Sequence, residues 1–210
     1  MQREPQSAGS ARFGTYRMVF IAMMAAIVYI LTLFRFPLLG SKVHFANAAC
    51  LLSGLLFGPL SGGLAAGIGS GLFDLLNGYG IDEALITLVS KFLMAAICAW
   101  VAGAHRADSP LAEAGETAGF RGLYAALWKR SPRIVIGSAL GALGYVALYM
   151  LKHFVYQFLL YGNTLEGTWV VMASKLPASL INAVFALLVA PLLYAALLPA
   201  LKKAGIVGRV

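Results

Sequence analysis

The chain has 210 residues, of which 60% are hydrophobic and only 11% are charged. Soluble domains average about 25% charged and under about 50% apolar residues, so this composition excludes an ordinary soluble enzyme and indicates a polytopic membrane protein. The net charge of +8 would suggest a nucleic-acid partner in a soluble protein. Here we expect it to set the orientation in the lipid bilayer, with no nucleic acid bound.

The N-terminal part predicts a tail and a first membrane span. Residues 1–15 are polar and contain Gly and Ser, which predicts a disordered cytoplasmic tail, and no cleavable signal peptide is expected. The first span runs from about Arg17 to Leu39, long enough to cross a bilayer at roughly 20 residues. Ala22 and Ala26 form a small-residue pattern in it. That pattern fits either packing inside the bundle or a contact face for another subunit.

Two short spans follow, Val43–Phe57 and Ser61–Leu76, and the turn signal Gly58-Pro59 separates them. In the second of these, glycine recurs every fourth residue, at Gly63, Gly67 and Gly71. Such a stripe lets another helix approach closely in lipid. Asp74 lies near the same stripe, and an acid at that depth is a candidate functional residue.

The rest of the chain predicts three more spans. The fourth runs from about Glu83 to Ala104, the fifth from Arg133 to Tyr156 and the sixth from Trp169 to Leu198. Residues 104–132 predict a cytoplasmic connection with a helix lying in the membrane interface, since aromatic and basic residues recur there at helical spacing. We therefore expect an all-α, six-helix transmembrane bundle over residues 16–200, followed by a cytoplasmic tail over residues 201–210.

The basic residues predict the orientation of this bundle. Eleven of the sixteen Lys and Arg residues fall in the two tails, in the 104–132 connection or at their boundaries. The positive-inside rule therefore places both termini in the cytoplasm. The five remaining cations fall in the outer half or the outer loops, and they are Arg35, Lys42, Lys91, Lys152 and Lys175.

Other polar residues gather at the same outer ends, namely His44, Asn47, Asp74, Asn77 and His153. An unpaired charge deep in a membrane helix costs roughly 2.5–3.5 kcal/mol, so such groups face a partner or a water-filled cavity. Asp74 and Lys91 could form an ion pair that fixes helix packing. Alternatively, the whole set forms a cup that is open to the outside and binds a small polar molecule. The aromatic residues nearby, including Tyr79, Tyr156 and Trp169, fit an interfacial belt or stacking on a flat ligand.

The motifs of several enzyme classes are missing. The run Gly67–Gly71 lacks the Lys-Ser/Thr of a phosphate-binding loop, and no Gly-x-Ser-Gly motif of an intramembrane serine protease occurs. Three histidines make a metal site improbable, and Cys50 and Cys98 are expected to be packing residues. We therefore expect no catalytic residues, no metal and no cofactor.

Two stretches resemble the substrate-binding S components of energy-coupling factor (ECF) transporters. They are VHFANAACLLSGLLFGP at residues 43–59 and GGLAAGIGSGLFD at residues 62–74, with further matches at Lys91-Phe-Leu-Met and over Lys175–Asn182. The resemblance implies a six-helix binding subunit, not an enzyme, in the plasma membrane of a prokaryote. It implies uptake of a small water-soluble vitamin or related ring compound, and as partners a transmembrane coupling subunit and two ATPases.

The resemblance also implies roles for particular residues. Ala22 and Ala26 correspond to the docking face of the family, which favours docking over internal packing. Our candidate substrate-binding residues are Lys91, Lys175, Asn182, Trp169, Tyr156, His44, Asn47, Asp74, Asn77 and Tyr79. Of these, His44, Asn47 and Asp74 could support the loops instead.

Two questions about function stay open at the sequence level. The cations suggest an anionic or carbonyl-rich ligand, but pyridines, pyrimidines and other small ring compounds remain equally open. The alternative function is a stand-alone secondary transporter of a small polar solute. Such a transporter would show internal repeats, and no convincing repeat is present.

Overall fold

The computed structural model describes residues 14–38, 41–103, 125, 127–129 and 131–204. The predicted tail over residues 1–15 therefore lies almost wholly outside the described residues, as does most of the 104–132 connection with its interfacial helix. The elements are α1 (Thr15–Leu33), β1 (Arg35–Leu38), β2 (Ser41–His44), α2 (Ala46–Leu76), α3 (Ile81–Ala102), α4 (Pro132–Phe154), a π-helix (Val155–Leu160) and α5 (Leu165–Lys203). Five helices in this described part are long and apolar enough to span a membrane, so the prediction of a mostly helical membrane protein is confirmed.

Helix α2 is not one straight rod, because it doubles back at Gly58. This residue has φ 80° and ψ −177°, a backbone conformation that is essentially restricted to glycine, and Pro59 follows it. Across the break, the Ser53 hydroxyl lies 2.9 Å from the carbonyl oxygen of Gly62, to which it donates. In a straight helix these two residues would lie about 13 Å apart. Residues 46–57 therefore form a first arm of α2 and residues 59–76 a second arm packed against it, and the predicted turn at Gly58-Pro59 is confirmed.

The first arm of α2 forms the centre of the bundle. All its residues from Ala46 to Leu55 are buried. Ala95 and Cys98 of α3 and Ala186 of α5 belong to the same buried cluster. A core of mostly small and aliphatic side chains allows these helices to pack at close range.

Helix α3 is held between two glycine stripes. The predicted stripe of α2 faces it, since a Cβ atom at Gly67 would lie 2.7 Å from the carbonyl oxygen of Leu88. On its other side, a Cβ atom at Gly141 of α4 would lie 2.6 Å from the carbonyl oxygen of Met94. Both approaches are closer than any residue with a side chain permits, so the backbone of α3 is fixed from two directions.

A short antiparallel hairpin, which the sequence reasoning missed, follows α1. Helix α1 ends at Leu33 and not near Leu39, and Arg35–Leu38 pairs with Ser41–His44 in the register Arg35↔His44. The prediction of an all-α protein with a simple loop here is therefore wrong. Strands of four residues are too short for their alternating side-chain pattern to be recognised in a sequence. Pro37 does not argue against a strand here, because proline is tolerated in edge strands.

The boundaries of the last two helices also differ from the prediction. Residues 157–168 were expected to be a loop, but helix α4 continues as the π-helix Val155–Leu160, and α5 starts at Leu165. The Thr164 hydroxyl accepts a hydrogen bond from the backbone N–H of Gly167 (3.2 Å), an N-terminal cap that the sequence could have revealed. At its other end α5 extends to Lys203, into the predicted tail.

We expect Gly67→Ala to lower the free energy of unfolding by about 1–3 kcal/mol, because the new methyl group would press on the carbonyl of Leu88. Gly144→Ala is the matched control, since its methyl group would meet only a flexible side chain at 3.4 Å. A thiol-reactive dye that reaches the buried Cys50 and Cys98 only on unfolding can measure both melting temperatures. Equal melting temperatures would contradict the close approach of α2 and α3.

Candidate functional site

The described structure contains a cavity of about 390 Å³. It lies where the hairpin, the 77–80 turn, the second arm of α2 and the helices α3, α4 and α5 come together. Binding sites for small molecules usually have volumes of about 300–1,000 Å³, so the cavity suits a compact ligand.

Each helix contributes side chains spaced three or four residues apart, so that they share one face. The lining side chains are Ser70, Phe73 and Asp74 of α2; Glu83, Thr87, Ser90 and Lys91 of α3; Tyr145, Tyr149, Lys152 and His153 of α4; and Lys175, Ser179 and Asn182 of α5. Arg35, Lys42, His44 and Tyr79 add the wall formed by the hairpin and the turn. Thr32 of α1, Ile86 of α3 and Leu148 of α4 complete the lining, so the wall is mainly polar and aromatic although the helices that build it are mostly apolar.

Lys91 is a buried cation in this wall. It is only 3% exposed, and its ammonium group donates a hydrogen bond to the side-chain oxygen of Asn47, which is 1% exposed. The ammonium nitrogen also lies 3.5 Å from the centre of the Tyr145 ring, a cation–π contact. Asn47 itself does not line the cavity, so it supports Lys91 from behind.

The predicted ion pair between Asp74 and Lys91 does not form, although both residues are described and both line the cavity. Asp74 interacts instead with the side chain of Thr87. Within the described part of the chain the ion pair of the cavity is Lys152–Glu83, at 2.7 Å, which joins α4 to α3. Asp74, at the end of the glycine stripe, therefore forms no ion pair with a basic side chain among the described residues.

The hairpin is tied to the 77–80 turn through Tyr79. The side chains of Arg35 (2.7 Å) and Lys42 (2.5 Å) both donate hydrogen bonds to the Tyr79 hydroxyl. The hydrogen bond from Lys42, followed by the charges of both cations, lowers the pKa of Tyr79 below its usual value.

Desolvation of the His44 ring, followed by the charges of Lys91 and Arg35, lowers the pKa of His44 to about 3. His44 is therefore neutral at physiological pH, and its buried Nδ1 has no hydrogen-bond partner among the described residues.

The opposite side of the hairpin is tied to α5 through Asn182. The Asn182 side-chain oxygen accepts a hydrogen bond from the backbone N–H of His44 (2.9 Å). The Asn182 side-chain nitrogen donates to the backbone carbonyl of Lys42, also at 2.9 Å. The amide thus pairs with strand β2 as another strand would. The Asn182 side chain therefore lines the cavity and also holds the hairpin over it.

Six of the ten candidate substrate-binding residues line the cavity, namely His44, Asp74, Tyr79, Lys91, Lys175 and Asn182. Four do not. Asn47 lies behind Lys91, and Asn77 closes α2 with a 2.8 Å hydrogen bond to the carbonyl of Phe73. The Tyr156 hydroxyl donates to Asp82 at the rim (2.9 Å), and Trp169 is 56% exposed beside the ring of Phe154.

The sequence reasoning missed the contribution of α4 to the wall. Tyr145, Tyr149 and His153 recur every four residues, and the ring of His153 packs edge-on against Tyr149 at 4.4 Å. Because residues at this spacing share one face of a helix, the sequence could have predicted that this face of α4 is polar and aromatic and lines a site. Lys152, one of the five cations predicted for the outer side, lines the cavity and pairs with Glu83.

Helix α1 presents one apolar face to its surroundings, and Ala22 and Ala26 lie on it. Both alanines are exposed, with Met18 and Met23 beside them at 59% and 56% exposure. The opposite face packs on α2, where a Cβ atom at Gly69 would lie 2.4 Å from the carbonyl oxygen of Ala25. Within the described structure Ala22 and Ala26 are therefore not internal packing residues.

A bundle of apolar helices around a polar cavity defines a membrane-embedded binding protein for a small molecule, and comparisons with known proteins agree. The sequence profile described as "ECF-type riboflavin transporter, S component" matches residues 12–198, so the chain belongs to this family. It is thus a substrate-binding membrane subunit for vitamin uptake, as the sequence resemblance predicted.

A solved structure of the S component of a bacterial ECF transporter supports the fold. It is 22% identical to this chain with a TM-score of 0.56, and the match covers 89% of this chain and 97% of that one. No curated protein matches the chain in sequence. No cluster of His, Cys, Asp or Glu side chains that could hold a metal ion is found among the described residues.

We expect Asn182→Ala to free strand β2, because it removes both hydrogen bonds that tie the hairpin to α5. Amide hydrogen exchange at residues 42–44 should accelerate by about tenfold or more, since each hydrogen bond is worth about 1 kcal/mol. Ser174→Ala is the control on the same helix, because the Ser174 hydroxyl bonds to the carbonyl of Val171 within α5 and not to the hairpin. Unchanged exchange in Asn182→Ala would show that the amide does not hold the hairpin.

Proposed function

We propose that the chain is the high-affinity binding subunit of an ECF transporter, which takes up a small water-soluble vitamin or a related ring compound. It would deliver this compound to an ATP-driven module of a transmembrane coupling subunit and two ATPases. The observation that carries the proposal is the 390 Å³ cavity, whose wall of cations, hydroxyls and aromatic rings is built mainly on apolar helices of a membrane protein. Polar side chains within membrane-spanning segments are costly in free energy unless they bind a ligand or interact with one another.

The same cavity supports an orientation with both termini in the cytoplasm of a prokaryotic cell. The five cations that the charge count left on the outer side all line the cavity. The two arms of α2 together with the other four long helices would give six spans, an even number that returns the chain to its starting side. In this orientation the cavity faces the outside, where a scarce nutrient must be captured.

The wall indicates the kind of compound that binds. Tyr145, Tyr149, Phe73 and Tyr79 offer flat surfaces for a ring, and the serine and threonine hydroxyls offer hydrogen bonds to its edge. The family is described by its riboflavin transporters, so a flavin is the first compound to test. The volume of the cavity also accommodates smaller ring compounds.

The substrate proposal predicts that a small ring compound co-purifies with the protein from cells grown in rich medium. Mass spectrometry of the released compound identifies it, and quenching of flavin fluorescence measures riboflavin binding directly. We expect affinity in the range of about 1 nM to 1 μM, as capture of a scarce nutrient requires. If no ring compound co-purifies and none of the common water-soluble vitamins binds, the proposed function is wrong.

The exposed face of α1 supports docking on the coupling subunit, because small side chains let another helix approach closely. We expect Ala22→Leu with Ala26→Leu to abolish uptake into cells that carry the ATPase module, while ligand binding to the purified subunit is unchanged. Ala147→Leu, an exposed alanine on α4, is the matched control and should leave uptake intact.

Two outcomes would argue against this docking face. Loss of ligand binding in the double variant would show that Ala22 and Ala26 support the bundle itself. Unchanged uptake in that variant would place the contact with the coupling subunit elsewhere. Uptake that persists when the ATPases are absent would favour a stand-alone transporter.

A further inference from the structure

The cavity carries far more positive than negative charge. Five cations line it, Arg35, Lys42, Lys91, Lys152 and Lys175, against the two carboxylates of Asp74 and Glu83. Among the described residues, Lys152 is the one cation of the five that pairs with a carboxylate, Glu83. The remaining four cations therefore face the cavity without an ion-pair partner among the described residues.

Lys91 shows most clearly that this charge is not balanced by the fold. It lies ten residues from the start of α3, about 15 Å along the helix, and is 3% exposed. Its contacts there are neutral, the side-chain oxygen of Asn47 and the face of the Tyr145 ring. A buried ammonium with only neutral partners is costly, and an anion beside it would offset that cost.

The other three cations also lack an ion pair with a carboxylate among the described residues. Lys175 lies ten residues from the start of α5, and it has no hydrogen bond or ion pair within the described structure. Arg35 and Lys42 share one neutral acceptor, the Tyr79 hydroxyl. Asp74 interacts with Thr87 and with the charge of Lys91 at longer range, but it forms no ion pair with Lys91 or Lys175 among the described residues.

We infer that the ligand of this cavity carries an ionised acid group, a carboxylate or a phosphate, whose charge is balanced by Lys91 and Lys175. The inference rests on the proposed function and narrows its substrate class from ring compounds in general to ring acids. The aromatic side chains of α4 would hold the ring, while the two lysines select for the anion. A neutral ring compound of the same shape would leave both ammonium groups unpaired.

Matched pairs of compounds test this inference, because the members of each pair differ chiefly in charge. Riboflavin 5′-phosphate with riboflavin tests the phosphate, and nicotinate with nicotinamide tests the carboxylate. Binding to the purified protein is measured by calorimetry at fixed ionic strength. We expect the anion of at least one pair to bind at least about tenfold more tightly than its neutral partner, the effect of one hydrogen bond to a charged group.

Variants locate the source of this preference. Lys91→Met and Lys175→Met should each reduce the affinity for the preferred anion about tenfold more than the affinity for its neutral partner. Lys129→Met, an exposed lysine outside the cavity, is the matched control and should change neither affinity. If Lys91→Met does not fold, Lys175→Met, which lies at a more exposed position, decides the matter alone.

The outcomes separate this inference from the proposed function. If the neutral members bind as tightly as the anions, the inference is wrong while the proposed function stands. The same conclusion follows if the preference for the anion survives in a folded Lys175→Met variant. If no member of either pair binds and the compound that co-purifies from cells is uncharged at neutral pH, the inference is also overturned.

Discussion

The structure depends on the close approach of backbones on both sides of α3. Glycines of α2 and α4 face its carbonyl oxygens at distances that leave no room for a side chain, as Gly67 at Leu88 and Gly141 at Met94 illustrate. In lipid there is no hydrophobic drive between helices, so such close packing supplies much of the association. These close contacts on two sides fix the rotation of α3 about its axis, and they therefore fix the direction in which Lys91 points. A polar side chain in the middle of an apolar helix is thereby held toward the cavity.

The cavity follows from how the remaining elements surround α3. The second arm of α2 and helix α4 pack against it and add their own polar stripes, while α5 contributes Lys175 and Asn182. Asn182 and Tyr79 then attach the hairpin from two sides. Each helix therefore has one face that packs closely on its neighbours and another face that carries polar side chains, and the two faces have different roles. The first makes the bundle stable, and the second makes a site that a small molecule can occupy.

Much of this arrangement could be predicted from periodicity and charge. The glycine stripe, the turn at Gly58-Pro59 and the cluster of cations each depend on local spacing or on the cost of charge in lipid, which sequence records directly. The partners of those groups could not be predicted in the same way. Asn182 bonds to a backbone 138 residues away, and Lys91 meets Asn47 instead of Asp74, because helix rotation decides which side chains meet. The hairpin was missed since its strands are only four residues long.

We propose that the transported compound binds in the cavity around Lys91 and Lys175. An experimental structure of the protein with its co-purified compound tests this most directly. We expect density for the compound inside the cavity, with an acidic group within hydrogen-bond distance of both lysine ammonium groups. Density for the compound at another site, with this cavity empty, would show that the cavity is not the binding site.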